Sequence, residues 1–189
     1  MNPYVIIPVK PFAEAKQRLA PALNSIQRAQ LAERMFRHVF GVASTVFGAE
    51  SVLVVSRSRE VLAMADAEGA IALPEGGPPD LNLALLQAAQ FASARGHSKL
   101  LIVASDLPLL GKDDLVEMTA KDCAIAPDRY KSGTNALLWP AHLSFHFGEN
   151  SFEHHRAIAE TAELSPSIFV RRGLAHDVDV PEDLITLDL

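Results

Sequence analysis

The sequence predicts a single α/β domain, spanning residues 1–189, that is built around a mostly parallel mixed β-sheet. Two observations favour this fold class. Short apolar runs alternate with amphipathic helical segments through the first 125 residues, which is the pattern of consecutive β-α-β units. After Pro127 the alternation changes, and the remaining strands and helices are spaced less regularly.

The strands are predicted from brief apolar or β-branched stretches between turn residues. The clearest is the run at 100–103, which is wholly apolar and therefore typical of a strand that is buried on both faces of a parallel sheet. The other strands are expected at 4–9, 51–55, 70–73, 124–126, 134–139 and 167–170, with the central one extending over 99–104.

The helices are predicted from apolar residues that recur every three or four positions. Over 25–46, Leu31, Met35 and Val39 form part of one apolar face, and Asn24 or Ser25 is suited to cap its start. Further helices are expected over 80–94, from 111, over 151–162 and over 181–187, where Pro181 occupies the first helical position.

Composition excludes several classes of protein. The 189 residues are 49% hydrophobic and 21% charged with a net charge of −6, and an acidic chain is a poor partner for nucleic acid. The apolar runs are too short to span a membrane, and the start of the chain lacks the basic region of a signal peptide. The single cysteine, Cys123, is expected to pack in the core. These features predict a cytoplasmic protein.

Asp106 follows the central strand within the segment Ser105-Asp106-Leu107-Pro108. Ligands bind at the carboxyl ends of strands in open α/β sheets, so this carboxylate is placed to hold a hard cation such as Mg²⁺. The alternative is that Asp106 only caps the following turn.

A second acidic cluster precedes the last predicted helix. Asp177 and Asp179 alternate with Val178 and Val180, so a strand here would place both carboxylates on one face. With Asp106 they would form a divalent-metal site, although Asp179 is also a candidate helix cap.

A basic loop follows the first strand and contains Lys10, Lys16 and Arg18. Such a loop suits phosphate oxygens, but solvated basic loops are common. The chain has neither a Walker sequence nor a G-x-G-x-x-G fingerprint, so it is not expected to be a P-loop ATPase or a dinucleotide-binding enzyme. Two polar segments, 128–135 and 147–151, precede a predicted strand and a predicted helix. In the second, Gly148 would let a ligand approach the backbone and Ser151 could bind an anion, although Ser151 is equally suited to capping the helix.

Taken in chain order, these segments resemble one known family. The motifs are P-V-K, K-x-R-L-A-P, L-N-x-A-L, S-D-L-P, A-P-D-R with G-T-N-A-L, F-G-x-x-S and D-V-D-x-P-E-D-L, which together span residues 8–184. They are similar to those of the 2-phospho-L-lactate guanylyltransferases of coenzyme F420 biosynthesis. Val180 departs from the pattern, which more often has Thr there. The resemblance implies a Rossmann-like nucleotidyltransferase domain of the glycosyltransferase-A-like type.

The resemblance also implies a reaction and a set of site residues. GTP and a small phosphorylated carboxylic acid (2-phospho-L-lactate, phosphoenolpyruvate or 3-phospho-D-glycerate) would give a guanylylated acid and pyrophosphate, with Mg²⁺. By position, the metal would be held by Asp106, Asp177 and Asp179, the acid by Lys10, Thr134, Gly148 and Ser151, and the nucleotide by Lys16, Arg18, Leu81 and Asn82. Lys16, Arg18 and Asp106 would be the catalytic residues.

Two other functions remain open from the sequence. A nucleotidyltransferase of the same fold could act on a molybdenum-cofactor pterin or a sugar phosphate, although the first loop of those relatives is usually glycine-rich. A non-catalytic nucleotide-binding module would keep the fold without needing Asp106. A homodimer is considered, but no helix face indicates a clear dimer contact.

Overall fold

The computed structural model describes residues 3–186, and its strands form one seven-stranded sheet in the order β3-β2-β1-β4-β6-β5-β7. The strands are β1 (Tyr4–Pro8), β2 (Val52–Ser56), β3 (Ile71–Pro74), β4 (Lys99–Val103), β5 (Ala124–Pro127), β6 (Thr134–Pro140) and β7 (Ser167–Ile168). All the described pairings are parallel except those of β6, which runs antiparallel to both β4 and β5. The predicted mostly parallel mixed sheet is therefore confirmed.

Helices cover both faces of the sheet. They are α1 (Ser25–Phe47), α2 (Arg59–Ala67), α3 (Leu81–Ser93), α4 (Lys112–Thr119), α5 (Ser151–Thr161), α6 (Arg172–Ala175) and α7 (Pro181–Thr186). One core layer joins α1, α2 and α4 to one face of the sheet, and the other joins α3 and α5 to the opposite face. Side chains of β4 alternate between the two layers and are essentially inaccessible to solvent from Leu100 to Val103, as the apolar run predicts.

Strand β6 contains an irregularity at the edge of the sheet where the site lies. Ala126 of β5 pairs with Ala136, but Pro127 pairs with Thr134, so Asn135 is an extra residue in β6. A β-bulge of this kind interrupts the alternation of side chains between the two faces. Thr134 consequently bonds to α5, whereas Asn135 donates to the Leu174 carbonyl of α6 on the other side of the sheet.

Several local predictions are confirmed. Asn24 caps α1 by accepting the N–H of Gln27, whose side chain in turn accepts the N–H of Asn24. Pro181 opens α7, and Cys123 is buried in the core, where burial raises the pKa of its thiol to about 11. Among the described helices, none is both long and apolar enough to cross a membrane.

Two predictions of local structure are wrong, and one helix was not predicted. Residues 177–179 are not a strand but an extended segment outside the sheet, and β7 is shorter than the predicted 167–170. The only signal for a strand at 177–179 is the alternation of polar and apolar residues. Val178 is apolar because it packs against residues of α1, and not because it belongs to the sheet. Helix α6 was not predicted because its four residues are too few to show helical periodicity. Part of the last predicted helix, residue 187, lies outside the described residues.

Candidate active site

Three carboxylates from distant parts of the chain meet at the carboxyl edge of the sheet. Asp106 follows β4, while Asp177 and Asp179 lie between α6 and α7. One oxygen atom from each residue lies within 4.8 Å of the others. The antiparallel strand β6 helps to bring them together, because it starts at the edge where β4 ends and its Asn135 carbonyl accepts the N–H of Ala104 at 2.8 Å. The structure thus brings together the three carboxylates that the sequence analysis grouped, and their role in holding a metal stays a prediction.

Lys16 places a positive charge directly on this cluster. Its Nζ donates to Asp106 Oδ2 and to Asp179 Oδ1, the second contact at 3.1 Å. Burial alone would lower the pKa of Lys16, but the charges and hydrogen bonds of Asp106 and Asp179 outweigh that effect and raise it. The residue has a left-handed backbone conformation (φ 55°), which is unusual for a lysine and is often found at functional sites.

Asp177 differs from Asp106 and Asp179 in forming no ion pair among the described residues. Its Oδ1 accepts a hydrogen bond from Asn135 Nδ2 at 3.3 Å. Burial, followed by the like charges of Asp106 and Asp179, raises the pKa of Asp177 to about 6. An all-oxygen donor set, in which one partly buried carboxylate forms no ion pair, is well suited to a hard divalent cation, so these residues fit Mg²⁺.

The acidic segment is held in place by Arg129 and Asp183. The Asp183 carboxylate accepts the N–H groups of Asp179 at 2.7 Å and Val180 at 2.9 Å, and it forms an ion pair with Arg129. Arg129 also donates to the carbonyl of Asp177 at 3.1 Å. Asp183, rather than Asp179, therefore caps the start of α7, and the Asp179 side chain is left free to face Lys16.

A second polar group lies at the start of α5. Ser151 is the first residue of that helix and is buried, and the N–H of Phe152 donates to the carbonyl of Ser132 in the turn before β6. Thr134 is joined to α5 by a hydrogen bond between its hydroxyl and His155 Nδ1 at 2.9 Å. Gly148 precedes the helix with φ +122°, a conformation that favours glycine.

The remaining predicted site residues differ in how exposed they are and in which contacts they make. Arg18 is largely exposed, and its guanidinium is 3.6 Å from Asp179. Lys10 is exposed after β1, and Leu81 is partly exposed at the start of α3. The Asn82 amide makes two hydrogen bonds with the backbone of Phe147, at 2.7 and 2.9 Å, so its main structural role is to tie α3 to the segment containing Gly148.

Comparison with known proteins identifies the family. Residues 3–189 match the family model described as "Guanylyl transferase CofC like". The chain belongs to this family. It is 36% identical to a phosphoenolpyruvate guanylyltransferase of Sphaerobacter thermophilus over 97% of this chain and 91% of that protein. It is 37% identical to a 2-phospho-L-lactate guanylyltransferase of Methanothermobacter thermautotrophicus over 97% of this chain and 83% of that protein.

A solved structure confirms the fold. A structure of CMP:2-keto-3-deoxy-manno-octonic acid synthetase with CTP matches it with a TM-score of 0.61 over 99% of this chain and 97% of that one, at 13% identity. The predicted nucleotidyltransferase fold of the glycosyltransferase-A-like type is therefore confirmed. The family and its guanylyltransferase relatives show in addition that the chain is a nucleotidyltransferase enzyme. The non-catalytic alternative gains no support from relatives that are named guanylyltransferases.

Sequence reasoning gave no role to four residues that organise the site of this guanylyl transferase. Two of them, Arg129 and Asn135, lie in the polar segment 128–135, where the only available signal was charge and amide chemistry before a strand. Asp183 lies in the first turn of α7, where an acidic residue is common and signals no specific role. His155 lies within α5, and its ring nitrogens bond to Thr134 and to the backbone N–H of His146.

Proposed function

We propose that this protein transfers the GMP group of GTP to the phosphate of a small phosphorylated carboxylic acid, with release of pyrophosphate, as a step in coenzyme F420 biosynthesis. An oxygen of the acid's phosphate would attack the α-phosphorus of GTP. The bond from that phosphorus to the bridging oxygen of the β-phosphate would break, and pyrophosphate would leave. The acceptor candidates are phosphoenolpyruvate, 2-phospho-L-lactate and 3-phospho-D-glycerate.

The observation that carries this proposal is the convergence of Asp106, Asp177 and Asp179 to within 4.8 Å. Two phosphorylated reactants repel each other, and an enzyme that joins them needs concentrated positive charge between them. We propose that these carboxylates hold Mg²⁺. When bound there, the ion would supply Lewis-acid stabilisation of the phosphoryl oxygens.

The chain's own cations complement this arrangement. Lys16 and Arg18 lie at the same cluster and come from one loop, so they are available to the oxygens of the triphosphate and of the leaving pyrophosphate. The acceptor phosphate is already ionised at neutral pH, and the reaction therefore needs no general base. Consistently, His155 is engaged with Thr134 and His146, and the described part of the chain places no histidine among the three carboxylates.

The acid is proposed to bind at the start of α5, where Thr134, Gly148 and Ser151 lie together. Hydroxyl groups and the backbone at a helix N-terminus favour anions. Lys10, exposed after β1, would add a positive charge at the same edge. Leu81 and Asn82 at the start of α3 are proposed to border the nucleoside.

The test is pyrophosphate release from GTP with each of the three acids in turn, with and without Mg²⁺. We expect release only when an acid is present, and the preferred acid identifies the acceptor. Asp106→Asn should fold normally and lower turnover by ~10²-fold or more, which is typical for loss of a principal electrostatic stabiliser. Unchanged turnover in that variant, or no release with any of the acids, would contradict the proposal.

A further inference from the structure

His155 is a fully buried histidine whose two ring nitrogens are both hydrogen-bonded. Nδ1 lies 2.9 Å from the hydroxyl of Thr134, and Nε2 lies 3.2 Å from the backbone nitrogen of His146. The ring also packs against Trp139 and Phe147, with centroid separations of 5.9 and 4.9 Å. These contacts fix the ring's position on α5.

The contacts also determine which ring nitrogen carries the proton. A backbone N–H can only donate, so Nε2 must accept from His146 and cannot itself be protonated. Burial, together with the neighbouring His146 and His154, lowers the pKa of His155 to about 4, so the ring is neutral at physiological pH. A neutral imidazole carries a single proton, and here it must be on Nδ1, which donates to Thr134 Oγ1.

The direction of that bond decides what Thr134 can offer to a ligand. A hydroxyl has one proton and two lone pairs, and His155 takes up a lone pair. In the described part of the chain the hydroxyl of Thr134, a buried residue, makes no hydrogen bond other than the one to His155, so its own proton has no partner there. The ligand oxygens of an ionised phosphate or carboxylate only accept, so they match this free donor.

We infer that His155 is a positioning residue that makes the Thr134 hydroxyl an obligatory donor to the phosphorylated acid. The inference rests on the proposed function, since it takes the acid as the ligand of Thr134. Ser151 supports this placement, because it lies four residues before His155 and therefore on the same face of α5, one turn nearer to the helix N-terminus. The tautomer of His155 thus determines that the Thr134 hydroxyl donates to the acid rather than accepting from it.

The kinetic test compares KM for the acid with KM for GTP in four variants. A hydrogen bond to a charged group is worth roughly 1.5–3 kcal/mol, so Thr134→Val is expected to raise KM for the acid by ~10–100-fold. His155→Phe keeps an aromatic ring but removes both nitrogens, and it should raise KM for the acid by ~3–10-fold while changing KM for GTP less than ~2-fold. His155→Asn places an amide N–H near the position of Nδ1 and should recover much of that loss.

The fourth variant, Thr134→Val/His155→Phe, distinguishes positioning from packing. If His155 acts through the Thr134 hydroxyl, removing both should cost no more in acid KM than Thr134→Val alone. Additive losses, or equal rises in both KM values, would overturn the inference and leave His155 as a core packing residue.

A spectroscopic measurement on the unsubstituted protein keeps the inference testable if a variant fails to fold. Nitrogen-15 NMR of the histidine rings, with His155 assigned from the spectrum of His155→Asn or by through-bond connectivity, should show a protonated Nδ1 and an unprotonated Nε2 at pH 7. The opposite tautomer, or a doubly protonated ring, would overturn the inference. If the natural protein turns over none of the acids, the proposed function itself fails. Turnover with an unchanged acid KM in His155→Phe would overturn only the role of His155.

Discussion

Replacing Asp177 by Asn should make the metal-free protein more stable while abolishing most of its activity. Folding raises the pKa of this carboxyl from 3.8 to about 6, because burial and the charges of Asp106 and Asp179 disfavour its ionised form. The ionised side chain therefore destabilises the folded protein. Asparagine is nearly isosteric, carries no charge, and retains an oxygen that can accept the Asn135 hydrogen bond seen at 3.3 Å.

The size of the effect follows from linkage between protonation and folding. A raised pKa in the folded state contributes stability below the unfolded-state value, and this contribution is lost as the pH rises through about 6. A difference of roughly two pKa units corresponds to about 3 kcal/mol at pH 8 and to about 1 kcal/mol at pH 4.5. The Asp177→Asn variant should gain up to these amounts in free energy of unfolding.

The assay is urea denaturation in a chelator at pH 8 and pH 4.5. Asp66→Asn is the matched control, because Asp66 is exposed on α2, and its removal should change stability by less than ~0.5 kcal/mol at both pH values. With Mg²⁺ in place of the chelator, the unsubstituted protein should be stabilised and Asp177→Asn much less so. The reasoning is refuted if the variant is no more stable than the parent at pH 8, or if its advantage does not shrink at pH 4.5.

Three further predictions concern residues that support the site. Asp183→Ala leaves the N–H groups of residues 179 and 180 without their acceptor and Arg129 without its ion pair, so it should cost ~2–4 kcal/mol in urea denaturation and lower turnover; a cost below ~0.5 kcal/mol would contradict the clamp. Gly173→Ala would place a methyl group against Asp114 and 2.7 Å from the Leu109 carbonyl, and should cost ~1–3 kcal/mol, whereas the control Gly41→Ala, with open space in α1, should stabilise by ~0.5–1 kcal/mol; equal effects would argue against the close approach. Asn82→Ala should raise KM for the acid if Asn82 braces the segment at 147–148, and KM for GTP if it contacts the nucleoside, which steady-state kinetics with each substrate varied will distinguish.

The fold was largely predictable because its signals are local. The apolar run of β4 indicates a strand that is buried on both faces. The Asn24 cap and the apolar face of α1 depend only on residues that are close together in the sequence. The antiparallel direction of β6 and its bulge at Asn135 were not predictable, because they depend on pairing with β4 and β5, which are distant in sequence. Single-turn α6 carries too few residues to leave a periodic signal.

The same distinction between local signals and long-range contacts applies to the candidate site. It explains why the acidic residues could be predicted and the residues that support them could not. A carboxylate after a buried strand, such as Asp106, can be inferred because strand polarity alone places it at the ligand-binding edge. The roles inferred for Arg129 and His155 depend on hydrogen bonds to segments that are distant in sequence. Arg129 bonds to the Asp177 carbonyl, and His155 bonds to the Thr134 hydroxyl. Neither partner can be read from spacing along the chain. The carboxylates proposed to hold the metal can thus be predicted from their residue type and their position after a strand. The residues proposed to orient the site can be identified only from the three-dimensional contacts that they make.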